Sequence, residues 1–327
     1  DFRQALTFAF NRESYASQIN GKDGADKLLR NLYIPPTFVQ AGDKSFGDLV
    51  KEKVVTYGDE WKDVDFSDGQ DGFYNEKKAK AEFAKAKEAL KAEGVEFPIH
   101  LDIPVDQTAT SKVQRVQSLK QSIEKTLGKD NVVIDVHQLS KDEVTNITLF
   151  APSAAEEDWD ISDNVGWTPD YQDPSTYLDT LNTKNGGSLQ NFGFEPGQDV
   201  NNEKVKALGL DTYTSMLEEA NAETKNVQAR YEKYAEAEAW LIDSGLNMPT
   251  VSQGATPRVT KSVPFSKAYS LVGAKGASGF NFKLTKLQSD VVTAKEYEAA
   301  KKKWEEEMAA SNKKAQEELA DHVEKNK

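Results

Sequence analysis

Asn164, Val165, Gly166, Trp167, Thr168 and, two places on, Asp170 form the stretch whose residue types and spacing point most directly to chemistry. The line reads NVGWTPDY, at the end of an expected short strand, WDISDNVGW, over 159–167. Strand ends beside a loop are where open α/β sheets place ligands. An exposed strand edge pairs with an extended chain through main-chain hydrogen bonds. Pro169 has no N–H and stops such a ladder, so Asp170 would stand just past its end. A carboxylate there suits the α-ammonium of an extended guest, a compact, strongly hydrated cation whose burial requires a charged partner. A plainer reading fits the same residues. Trp167 would then be core, Asp170 and Asp173 turn and cap residues, and Tyr171 and Tyr177 gap fillers. The residues alone leave both open.

Other candidates carry less. His100, His137 and His322 are far apart in sequence. His100 and His137 fall on expected neighbouring strands, but no HExxH or similar ligand spacing accompanies them. DVDFSDGQDGFYNE (63–76) resembles a calcium loop, but its glycine is misplaced relative to the alternating acids, so an ordinary acidic turn is expected. There is no nucleophile elbow and no phosphate loop. GAKGASG (273–279) has no helix pattern after it and reads as a turn. No carboxylate pair stands out for acid–base work. The residues supply no catalytic constellation, so no enzyme activity, metal or cofactor is expected. A net charge of −13 argues against nucleic acid, whose phosphates need a basic footprint. The absence of cysteine excludes disulfides and thiolate chemistry in this chain. No run approaches the ~18 apolar residues of a membrane span.

The elements that must position the site follow from periodicity. Asp1 and Gln4 have capping-box spacing before the apolar face Phe2, Ala5, Leu6, Ala9 and Phe10, and Gly21 and Gly24 are expected to end that helix. Asn75 is a plausible N-cap for a helix with Ala79, Phe83, Ala86 and Leu90 inward, closed at Gly94. A strand over 97–105, a helix over 111–127 and a strand over 131–139 spell a βαβ unit with parallel strands. Its Asp106–Thr108 loop is expected to face the same cleft as Gly166. Asp173-Pro174 reads as N-cap and N1 of a short helix. Further helices are expected over 203–220 and 223–244, an extended segment over 248–260, and short strands with turns over 255–287. The Lys/Glu-rich tail, opened by a Thr293–Glu296 capping box, reads as one long, largely solvated helix, or two, packed on the body through Trp304.

Three segments together resemble the oligopeptide-binding proteins of ABC importers (solute-binding protein family 5), most closely the Gram-positive peptide-binding lipoproteins. They are DFRQALTFAFNRESY, GWTPDYQDPSTYLDT and YEKYAEAEAWLIDSGLNMPTVSQ. The order and spacing agree over residues 1 to about 285. The resemblance implies an α/β, type II periplasmic-binding-protein-like lobe, with a mixed sheet, flanking helices and a charged C-terminal helix. It implies the C-terminal half of a two-lobed clamp. Residues 1–247 would be the second lobe, 248–290 a crossover into the first, and 291–327 a charged tail beyond the family pattern. The implied partners are an oligopeptide, ABC permease subunits and the missing N-terminal half, whose lipid would anchor the protein at the cell surface. Residue by residue, Gly166, Trp167 and Thr168 map to the family strand that bonds the peptide backbone, and Asp170 to the aspartate that meets the peptide N-terminus. Asn164 stands where some members carry an arginine. Two other readings are a surface interaction or signalling-peptide receptor, and a hydrolase with two carboxylates ~5–10 Å apart.

Overall fold

The structure is a computed structural model that describes residues 1–163, 166–252, 259–266 and 285–326. The chain divides into two units, Asp1–Thr168 with Gln172–Ala255, and Pro169–Tyr171 with Thr256–Lys327. In chain order the first unit contains α1 (Phe2–Ala9), α2 (Arg12–Leu28), β1 (Gln40–Ala41), β2 (Lys44–Ser45), α3 (Phe46–Val54), α4 (Glu76–Ala92), β3 (Ile99–Asp106), α5 (Thr110–Leu127), β4 (Val132–Leu139), α6 (Lys141–Asn146), α7 (Ser175–Leu178), α8 (Glu203–Ala207), α9 (Leu210–Ala222) and α10 (Val227–Ser244).

The opening helix departs from expectation at both ends. Asp1 occupies the N-cap, but its side chain makes no capping bond. The Gln4 amide instead donates to the carbonyl of Asp243 at 2.8 Å and to its carboxylate at 2.9 Å, a tertiary partner winning over the local one. The chain breaks at Phe10 rather than at the glycines, and Asn11 opens α2 by accepting the Ser14 amide at 2.7 Å. Gly21 lies inside α2 at a kink with φ 64, a conformation glycine adopts without steric cost. Ala5, Phe8 and Ala9 are fully buried, and Phe8 packs on Trp61 with ring centroids 5.2 Å apart.

β3, α5 and β4 form the expected βαβ unit. The strands are parallel, from Ile99 opposite Val132 to Asp106 opposite Leu139. Ile103, Val105, Val132 and Ile134 meet Val116, Leu119, Ile123 and Leu127 of α5 in the main core. Helix α5 also satisfies the main chain of β4 at Ile134. Glu124 accepts the Ile134 amide at 3.1 Å, Lys120 donates to the Ile134 carbonyl, and the two side chains pair at 2.6 Å. Glu124→Ala leaves a buried amide without its acceptor and is expected to lower stability by about 2 kcal/mol in urea unfolding. A change under about 0.5 kcal/mol, the ordinary range of surface substitutions, would refute this role.

The expected strand over 159–167 is absent among the described residues. Asp160 and Ile161 both donate to the Asp102 carbonyl, at 3.1 and 2.9 Å, and the Asp160 carboxylate accepts the Asp102 amide at 2.9 Å. A side chain thus takes the place of the main-chain acceptor that would carry a ladder onward. The expected helix over 203–220 is two, α8 and α9, separated at Gly209 with φ 77. Helix α10 is capped by Asn226, accepting the Ala229 amide at 3.0 Å, and ends at Gly245 with φ 60. The N-cap of α7 is Pro174 rather than Asp173, although the Asp173 carboxylate does accept the Ser175 amide at 3.1 Å. The same carboxylate meets Arg230 of α10 at 2.9 and 3.0 Å.

In the second unit Val263 donates to Lys286 at 2.8 Å and Gln288 to Lys261 at 2.9 Å, around an antiparallel bridge between Ser262 and Leu287. The Thr293–Glu296 capping box opens a single helix, Ala294–Lys325, with no buried residue. Trp304 stacks on Phe265 with centroids 5.0 Å apart. The glycine-rich stretch 273–279 and most of the expected strands over 255–287 lie outside the described residues. Among the described residues, no helix is long and apolar enough to cross a membrane.

Candidate functional site

The first unit holds a cavity of about 450 Å³, within the ~300–1,000 Å³ usual for ligand sites. Gly166 and Trp167 both line it, together with Tyr15 of α2, Leu119 of α5 and the carboxylates Asp160 and Asp163. Tyr177 and Phe192 add aromatic faces. Trp167 is 46% exposed, which overturns its reading as a core residue, and Tyr171 is equally exposed rather than filling a gap. Tyr177 is partly buried and packs edge-on against Phe38, with centroids 5.4 Å apart. Gly166 is exposed, and a Cβ added to it would meet nothing within 4 Å, so its backbone face is open.

The other sequence candidates divide. Thr168 is exposed and ends its segment of the first unit. Asp170 is half-buried and falls in the second unit with Pro169 and Tyr171. Asn164 and Val165 lie outside the described residues. The Asp106–Thr108 turn closes on itself, Asp106 accepting the Thr108 amide at 2.9 Å and its hydroxyl at 2.6 Å, and it does not line this cavity.

Two histidines and the calcium-like acids find other partners. His100 lies 2.7 Å from Asp135 and His137 lies 2.9 Å from Asp102, each meeting an aspartate across the strand pair. Among the described residues, no group of three or more His, Asp and Glu is arranged to hold a metal ion. In the 63–76 loop Asp63 pairs with Lys78, Asp68 with Arg30 at 3.5 Å, and Asp71 with Arg12 at 2.6 Å. Asp63, Asp68 and Asp71 thus hold cations of this chain.

Sequence reasoning missed the wall behind Trp167. The Tyr15 hydroxyl donates to Asp163 at 3.0 Å and accepts from Arg115, whose guanidinium lies 4.1 Å from the Tyr15 ring centroid. Burial, with Asp163 adding to it and Arg115 opposing, pushes the Tyr15 hydroxyl well above the usual tyrosine range. The three residues are separated by 100 and 148 positions, and nothing local to any of them marks the contact.

This fold and edge can be set beside known proteins. A solved oligopeptide ABC transporter substrate-binding domain from Bacillus anthracis superposes with a TM-score of 0.53 at 20% identity, over 76% of this chain and 39% of that one. The shared architecture is the type II periplasmic-binding fold. The oligopeptide-binding protein SarA of Streptococcus gordonii is 63% identical over 323 residues, 99% of this chain and 48% of SarA. The oligopeptide-binding protein AliA of Streptococcus pneumoniae is 60% identical over 325 residues, 99% of this chain and 49% of AliA. The chain thus spans about half the length of these relatives. The family profile "Bacterial extracellular solute-binding proteins, family 5 Middle" matches residues 1–188, more than half the chain and inclusive of the Gly166–Asp170 segment. With the resemblance of its three segments, its fold and this match in agreement, the chain belongs to the bacterial extracellular solute-binding proteins of family 5.

Proposed function

We propose that this chain provides the peptide-binding lobe of an ABC-importer substrate-binding protein that takes up extended oligopeptides. The observation that carries the reading is the exposed Gly166–Trp167 edge beside the 450 Å³ cavity, in a chain whose 63%-identical relative is named an oligopeptide-binding protein. An open glycine allows a guest backbone to approach closely. Asn164, Val165, Gly166, Trp167 and Thr168 would pair with the guest main chain, and Asp170 would receive its α-ammonium. Backbone pairing ignores side-chain identity, so broad sequence tolerance follows. The role is binding rather than catalysis.

In this reading residues 1–247 form the second lobe, 248–290 cross toward the first, and 291–327 are an appended charged helix. The remaining partners are permease subunits and the other lobe. A lipid outside this chain would hold the protein at the cell surface.

Calorimetry with free and N-acetylated forms of one extended peptide tests the Asp170 assignment in the protein as its gene encodes it. Acetylation removes the cation and should weaken binding by at least about a hundredfold, near 3 kcal/mol. Equal affinities for the two forms would refute it.

A further inference from the structure

We propose that Tyr15 and Arg115 are positioning residues for the Gly166–Trp167 edge, acting through Asp163; the inference rests on the peptide-binding reading above. Among the described residues, no strand ladder holds 159–163, the stretch that leads to the edge. It is fixed instead at two points. Asp160 is held by a reciprocal pair of bonds with Asp102 of β3, its amide reaching the Asp102 carbonyl at 3.1 Å and its carboxylate accepting the Asp102 amide at 2.9 Å. Asp163, three residues before Gly166, is held by the Tyr15 hydroxyl at 3.0 Å.

The second point is built on the seam between two helices. Arg115 of α5 donates to the Tyr15 hydroxyl and lies over its ring, while Phe10 closes the ring edge-on at 5.1 Å between centroids. Around it the helices are joined by Ser118 to Ser14 at 3.1 Å, and by the Asn11 amide to Ser122 at 3.2 Å. Tyr15 is 2% exposed, so bulk water competes little with Asp163 for its hydroxyl. Burial and the neighbouring carboxylate keep that hydroxyl protonated, hence a donor, at any physiological pH.

The Arg115 Nε is buried without a hydrogen-bond partner among the described residues. Leaving a guanidinium donor unsatisfied is costly, and such exceptions call for a reason. The reason here is the orientation that places the remaining guanidinium on the Tyr15 hydroxyl and ring. Fixing the edge before the guest arrives reduces the ordering cost of binding, which is how preorganisation raises affinity. Tyr15 and Asp163 line the same cavity as Gly166 and Trp167, so the tether lies in the cavity wall.

The test compares Asp163→Ala, Asp163→Asn and Tyr15→Phe in the protein as its gene encodes it, with one extended peptide as probe. Asp163→Ala and Tyr15→Phe should each weaken binding about tenfold, the equivalent of one charge-assisted hydrogen bond. Both should also speed hydrogen exchange at the Gly166 and Trp167 amides while leaving β3 and β4 unchanged. Asp163→Asn keeps an acceptor for Tyr15 and should bind within about threefold of wild type, the margin left by a neutral bond in place of a charged one. If Asp163→Asn loses as much as Asp163→Ala, the carboxylate charge itself meets the guest and the positioning role is overturned. Wild-type affinity and exchange in Tyr15→Phe, with acetylation still weakening binding, overturn the inference and leave the peptide reading intact. A wild-type protein that binds no peptide overturns that reading and the purpose assigned to the tether with it.

Discussion

Replacing Arg12 by methionine is expected to lower stability by about 3–5 kcal/mol, because it leaves Asp71 as an uncompensated buried charge. The Arg12 side chain is fully buried, and its partner is nearly so. All five guanidinium donors are used. Nε and one terminal nitrogen grip Asp71 at 2.9 and 2.6 Å; others reach the carbonyls of Arg30 and Pro249 at 2.8 Å and the Asn31 side chain at 2.5 Å. The face of Phe73 lies 4.5 Å from the same group. One side chain thereby joins the start of α2 to segments 18, 59 and 237 residues away. Lysine cannot substitute, since it offers a point charge with three donors in place of a planar fork with five. Urea unfolding of Arg12→Met, Arg12→Lys and Asp71→Asn would measure this. A loss under about 1 kcal/mol in all three, below the usual range for a broken buried pair, would show that the site relaxes around the missing charge.

A second large effect is expected at Glu238 of α10, a fully buried carboxyl with no cationic partner among the described residues. Oε1 accepts the Tyr33 amide at 2.9 Å and the Ile34 amide at 3.3 Å, and Oε2 has no hydrogen-bond partner. Burial pushes its pKa from 4.5 up to about 8, the two amides opposing. The sign follows directly. The folded state prefers the neutral acid, so no penalty exists below pH 4.5. The penalty grows as pH rises and is complete above pH 8, where it reaches on the order of 5 kcal/mol at 1.36 kcal/mol per unit. The tyrosines facing this group do not titrate in that window. Burial holds Tyr33 and Tyr213 well above their usual value and Tyr177 at about 12. Relative to Glu238→Gln, wild-type stability should therefore fall between pH 4.5 and 8 and then level off. Urea unfolding of both proteins from pH 4 to 9 measures the difference, in which other titrations cancel. Parallel curves would mean that water or a rearrangement solvates the carboxylate.

What the sequence determined by itself was whatever short-range signals encode. The 3.6- and 2-residue periods predicted the βαβ unit within two residues at each boundary. Asn75, Gly94 and Gly245 opened or ended helices as their backbone chemistry requires. Gly166 and Trp167 stand out by residue type and spacing alone, and they line the cavity. Only the tertiary structure decided which of several competent partners each polar side chain takes. Gln4 turned from Asp1 to Asp243, Asp160 replaced a strand's ladder with its own carboxylate, and Asp71, Asp68 and Asp63 went to Arg12, Arg30 and Lys78. The Arg115–Tyr15–Asp163 tether was invisible for the same reason. A cap or a period is settled within about one helical turn of chain. A buried hydrogen bond is settled by which groups lose water together, and those groups can come from positions as far apart as Gln4 and Asp243.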